Sequence, residues 1–181
     1  MSRLQPVQRD RTDGKTRKIL DEVQSSMGMT PNLFRIMANS PAVLEGFVSL
    51  RNCLENGVLE PSLREQVCLS VAEANRSEYC VAGHAAIGKT IGLSDEEIMD
   101  ARHAQSPDSK VQAALAFAWE VADHRGDVMD SDIIRLRDAG YTEEEIAEII
   151  GLVGLNTFGD YFAEVTQPAF DFPRVPEPAH A

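Results

Sequence analysis

Cysteine is scarce in this chain: Cys53, Cys68 and Cys80 are the only three among 181 residues. An odd, small number without a CxxC pair argues against a secreted disulfide framework. Four scattered histidines do not make a zinc signature, so neither a metal nor another cofactor is expected. Long apolar runs are missing too. None approaches the roughly 18 residues of a membrane-spanning helix. The opening stretch Met1-Ser2-Arg3-Leu4-Gln5-Pro6 lacks the apolar core of a signal peptide. The expectation is a soluble, cytoplasmic protein. Basic residues are few: Lys and Arg total 17 against 29 Asp and Glu, for a formal charge of −12. Such a surface repels phosphate backbones and anionic lipid, so neither nucleic acid nor membrane is an expected partner.

What is present is ordinary globular material, 43% hydrophobic and 25% charged, enough for one domain. Residues 1–12 are polar and read as an extended arm. Helices are expected at Asp13–Met27, from about Pro31, at Pro41–Asn56, at Pro61–Asn75 and at Glu78–Ile91. Proline suits a first helical turn and glycine a helix end, as at Gly57 and Gly92. Ser94 with Glu97, and Thr142 with Glu145, form two matching capping boxes. They mark either a weak repeat of helical hairpins or convergent capping chemistry. Val111, Leu115, Ala118 and Ala122 make a helical stripe. A last long helix is expected from Thr142 to about Val165, apolar on nearly every side between Ile149 and Phe158, as at a subunit contact. Pro168, Pro173, Pro176 and Pro178 exclude a helix from the tail, 167–181, which reads as a surface arm. No run alternates as a strand does. The fold class is all-α, with one domain over 13–166.

The chemistry concentrates between Glu65 and His84. On the helix from Glu78, Cys80, His84, Ile87 and Ile91 share one face, and the four-residue spacing makes Cys80 and His84 neighbours. With Ser77 as N-cap, Cys80 falls in the first turn. There the helix dipole favours a thiolate and an imidazole can take the proton, so a pKa below about 8.5 is expected. On the preceding helix, Glu65 lies in a mostly apolar sector with Cys68, Leu69 and Ala72. A short loop should pack the two helices antiparallel and bring Glu65 and His84 to the same depth.

The spacing Glu65, eleven residues, Ser77, two residues, Cys80, three residues, His84 resembles the core motif of the alkylhydroperoxidase D-like proteins, within the carboxymuconolactone decarboxylase family. The string Asn75-Arg76-Ser77-Glu78-Tyr79-Cys80-Val81-Ala82-Gly83-His84 is similar to that pattern over its whole length. The likeness is sharp over residues 60–100 and general elsewhere. It implies an all-helical fold that assembles as a homotrimer or hexamer with the site near subunit contacts. It implies Cys80 as the second cysteine of a redox pair, His84 as its base and Glu65 as the first member of a proton relay. Tyr79 matches the position where the family has His or Tyr. Ser77 stands where the family has its first redox cysteine. A serine cannot close the disulfide of a lipoyl-protein-dependent peroxidase cycle.

Three functions follow as expectations. The leading one is a thiol peroxidase that reduces a small hydroperoxide at Cys80 and is recycled by a thiol reductant, with Cys68 as an internal candidate for resolution. The second is a lyase or isomerase acting on a small carboxylate or lactone through His84 and Glu65. The third is an oligomeric binding protein without catalysis.

Overall fold

The computed structural model describes residues 2–12 and 14–176; the expected helix start at Asp13 and the tail beyond residue 176, with Pro178, lie outside them. The described residues form helices joined by short turns, with no strand among them. After a 3₁₀ turn at Arg9–Arg11 come α1 (Gly14–Met27), α2 (Asn32–Met37), α3 (Pro41–Glu55), α4 (Pro61–Ala74) and α5 (Glu78–Thr90). They are followed by α6 (Asp95–Arg102), α7 (Ser109–Asp123), α8 (Asp130–Asp138) and α9 (Glu143–Thr166). None is long and apolar enough to cross a membrane.

Helix α4 is the hub. It packs on α5, α6, α7 and α9, and its run from Gln66 to Ala72 is buried on every side. One core gathers Val67, Leu69, Leu115, Leu136 and Ile149 around it. A second joins α1–α3 to the start of α5 and the later turns of α9, through Leu20, Phe34, Met37, Leu44 and Phe47. Cys68 belongs to the first core, and Tyr79 and Cys80 to the second. The site lies where the two cores meet.

Local chemistry sets the helix ends. Both capping boxes form: Ser94 Oγ accepts from Glu97 N at 3.1 Å and Thr142 Oγ1 from Glu145 N at 3.2 Å. The turns before them match as well. Gly92 and Gly140 sit at φ +99° and +89°. Leu93 N donates to Gly88 O and Tyr141 N to Leu136 O, the six-to-one bond of a Schellman end. The resemblance is one of linkers, because the helices that follow differ: α6 has 8 residues and α9 has 24. The sequence reading places no helix at α8, where Leu136 is the one buried apolar side chain and the hydrophobic signal is correspondingly thin.

The α4–α5 turn matters most. Arg76 takes the left-handed conformation at φ +58°. Arg76 N donates to Glu73 O and Ser77 N to Ala72 O, both at 2.9 Å. This Schellman turn reverses the chain within residues 75–77, so α5 packs directly on α4.

Candidate active site

Glu65 and Cys68 stand one turn apart on α4, and Cys80 and His84 one turn apart on α5. The expected meeting of Glu65 and His84 occurs: His84 Nδ1 lies 2.9 Å from Glu65 Oε2. Burial acts to lower the imidazole pKa, but the charge and hydrogen bond of Glu65 outweigh it and hold His84 above its usual value. The imidazolium therefore persists further into neutral pH.

The Cys80 expectations need correction. His84 Nδ1 is committed to Glu65, and no hydrogen bond among the described residues joins His84 to Cys80. The groups that bear on the thiol are Ser77 and Asp160. Cys80 is 7% exposed. Burial first, then the Asp160 carboxylate, push its thiol well above the ordinary value, with Ser77 opposing. The resting sulfur is a thiol. A first-turn dipole contributes at most about 2 kcal/mol, too little against desolvation plus a neighbouring negative charge.

Ser77 also departs from its expected role. It occupies the N-cap of α5, yet its side chain accepts no cap hydrogen bond, unlike Ser40, Ser94 and Thr142. The hydroxyl is buried beside Cys80 instead. Tyr79 is an anchor. Its hydroxyl donates to Asp171 Oδ2 at 2.5 Å and accepts from Leu33 N at 3.2 Å. Asp171 also takes Asn32 N at 2.8 Å and Asn32 Nδ2 at 2.9 Å, so the segment after α9 is tied across α2 and α5. Burial, then Asp171, raise the Tyr79 phenol. It is held protonated.

Helix α9 supplies two groups that the sequence reading missed. Asn156 Nδ2 donates to Cys68 Sγ at 3.1 Å and to Leu152 O at 2.8 Å. Asp160, fully buried, receives Asn75 Nδ2 at 2.8 Å on Oδ2. Burial lifts Asp160 to about 6, against the lowering effects of Asn75, Cys80 and His84. The available signal was an Asn and an Asp four residues apart in the mostly apolar second half of α9, a spacing that places both on one face.

Cys68, Cys80, Glu65, His84 and Asn156 line one cavity of about 110 Å³, whose remaining wall is mostly apolar, with Phe34, Leu155 and Phe172, and carries Arg51 and Arg64. Ligating atoms of Glu65, Cys68 and His84 lie within 4.8 Å of one another and could share a cation. The carboxylate and imidazole already satisfy each other there. Burial and the Glu65 charge push the Cys68 thiol well up, away from the thiolate that a metal needs.

The sequence model of the carboxymuconolactone decarboxylase family matches residues 41–124, from the start of α3 through α7. Over this segment the chain is similar to the carboxymuconolactone decarboxylase family. The match includes all of α4 and α5, so Glu65, Ser77, Cys80 and His84 stand within the matched segment, whereas Asn156, Asp160 and Asp171 lie beyond it. Solved structures extend the likeness to the whole fold. The alkylhydroperoxidase AhpD core of an uncharacterized peroxidase-related protein from Ralstonia eutropha JMP134 has a TM-score of 0.85 at 23% identity, covering 94% of this chain and 92% of that one. An uncharacterized peroxidase-related protein from Silicibacter sp. TM1040 has a TM-score of 0.77 at 22% identity, covering 87% of each. A cysteine-to-alanine variant of the debrominase Bmp8, in complex with 2,3,4-tribromopyrrole, has a TM-score of 0.83 at 19% identity, covering 94% and 92%. No curated protein sequence matches the chain significantly.

Proposed function

We propose that the protein is a thiol-dependent, peroxidase-like enzyme that reduces a small organic hydroperoxide at Cys80. One observation carries this reading: a single, mostly apolar cavity is lined by a thiol and by a hydrogen-bonded acid–base pair. The sulfur attacks the terminal peroxide oxygen and the O–O bond breaks. The alkoxide leaves with a proton from the His84 imidazolium, and Cys80 becomes a sulfenic acid. An external thiol then condenses with the sulfenic acid, releasing water, and a second thiol frees Cys80 as the external disulfide forms. Cys68 is poorly suited to resolve the sulfenic acid, because its sulfur is buried, held by Asn156 and kept protonated. The family likeness and the peroxidase-related fold relatives support the reading. The tribromopyrrole held by the debrominase relative is a small apolar ring, in keeping with the scale of this cavity.

Treatment with one equivalent of tert-butyl hydroperoxide and a sulfenic-acid trap, followed by peptide mass spectrometry, tests it. The adduct is expected on Cys80. An adduct confined to the exposed Cys53, or none at all, would sink the reading. A lyase acting on a small carboxylate is the second reading, favoured by Arg51 and Arg64 on the cavity wall. Carboxylate binding with an inert Cys80 would select it.

The same proposal includes a homotrimer or hexamer. Ile150, Phe158, Tyr161 and Val165 lie 41–64% exposed on α9 at helical spacing, an apolar stripe that a second subunit would cover. Light scattering at micromolar concentration is expected to show an assembly; a clean monomer of 19.9 kDa would remove this part.

A further inference from the structure

Two buried polar atoms beside Cys80 lack a hydrogen bond of good geometry: Ser77 Oγ and Asp160 Oδ1. Buried polar groups are nearly always paired, and an orphan calls for an explanation. The thiol is the polar group common to both. We propose that Asp160 is the base that takes the Cys80 proton and that Ser77 is the donor that steadies the resulting sulfur anion. The inference rests on the peroxidase-like reading and assigns its missing step, since His84 is held by Glu65.

Donor and acceptor counts support the assignment. Asp160 Oδ2 is fixed by Asn75, which leaves Oδ1 for the thiol. Ser77 forgoes the backbone N–H groups that an N-cap serine usually takes, so its hydroxyl is free to donate to sulfur. In the resting state the thiol has one proton to donate, so it can satisfy only one of the two oxygens, and the carboxylate is the stronger acceptor. After transfer, the sulfur anion accepts from the protonated Asp160 and from Ser77 together. The orphaned atoms are thus better satisfied after deprotonation than before it. The titratable and charged groups facing Asp160 are Cys80 and His84 from α5, Cys68 from α4 and Glu164 one turn along α9. The site then divides its work. The proton leaves Cys80 for Asp160, the alkoxide takes one from His84, and the products are Cys80 sulfenic acid and an alcohol. Asp160 later returns its proton to solvent as His84 regains one.

The rate of Cys80 oxidation by tert-butyl hydroperoxide, followed from pH 5 to 9, is the test. The wild-type rate should rise through about 6, where Asp160 ionises. Asp160→Asn, nearly isosteric, should be about 100-fold slower at pH 7 and gain speed only in alkali. If Asp160 merely repels a thiolate, removing its charge will speed the reaction at pH 7, and that outcome overturns the assignment. Ser77→Ala should slow oxidation roughly 10-fold, about one hydrogen bond to a charged group, without moving the limb near 6. An infrared readout needs no turnover. The Cys80 S–H stretch, identified by its loss in Cys80→Ser, should lie at the low frequency of a hydrogen-bonded thiol and move up in Asp160→Asn. An unmoved band overturns the assignment. Should Asp160→Asn fail to fold, Asn75→Ala keeps the carboxylate but frees it, and the same band should shift up in part. A wild type inert to peroxide sinks this step and the peroxidase reading together. A reactive wild type with an equally fast Asp160→Asn variant sinks this step alone.

Discussion

His84→Gln is expected to slow oxidation of Cys80 by an alkyl hydroperoxide by two to three orders of magnitude, within the range ascribed to general acid catalysis. The reason is the leaving group. An alkoxide expelled into a small apolar cavity is costly unless protonated as it departs, and His84 lines that cavity with its protonated form favoured by Glu65. Glu65→Gln makes the sharper test. The wild-type rate should fall as pH rises through the raised imidazole pKa. Removing the Glu65 charge leaves burial, which lowers the pKa, opposed only by the smaller effects of Asp160 and Asn156, so the alkaline limb should move to lower pH. The Glu65→Gln, His84→Gln double variant should be little worse than His84→Gln, because paired groups act as a unit. Rates measured across pH for the three variants decide the matter. A limb that stays put in Glu65→Gln would mean the pair is structural.

The second large effect concerns stability. Asp160→Asn should stabilise the protein by about 2–3 kcal/mol at pH 8 and by little near pH 4. Asp160 ionises at about 6 in the fold against an ordinary aspartate value of 3.8. The native state therefore binds more protons than the unfolded chain between those values, and stability falls as pH rises through that window. Two pKa units correspond to roughly 3 kcal/mol. Asparagine has no charge to bury, so it escapes the fall. His84 adds a fall of its own. Its folded pKa is raised, so its stabilising contribution is complete below about 6.5 and is lost as pH rises through the folded value. That second decline should persist in Asp160→Asn. Denaturant unfolding at pH 4.5 and pH 8 separates the two. A variant less stable than wild type at pH 8 would show that the carboxylate's bond from Asn75 outweighs its desolvation. A more stable but slower variant is the usual mark of a group kept for function at a cost in stability.

Of the fold, the helix boundaries were the most legible. Pro41, Pro61, Ser94 and Thr142 mark starts, and the described ends at Glu55, Ala74, Thr90 and Thr166 fall within one residue of expectation. Caps and proline act over a single turn, so sequence spacing carries them. The meeting of Glu65 with His84 was legible for a related reason: two helices joined by a tight turn have little freedom in register. The Cys80 environment was not. A first-turn position and a neighbouring histidine argue for a thiolate, and both features are present. Burial by residues of α2 and α3, and a carboxylate from α9, reverse the outcome.

The sequence by itself determined an all-helical chain, the positions of its caps, and a pair of facing side chains on α4 and α5, because each depends on interactions within one turn or across one short loop. Tertiary structure alone decided the protonation of Cys80, the turning of Ser77 away from its cap, and the placing of Asp160 beside Cys80. A pKa and a hydrogen-bond count are sums over every group that packs around an atom. For Cys80 those groups arrive from helices far apart in the chain, through a long-range packing that no local pattern encodes.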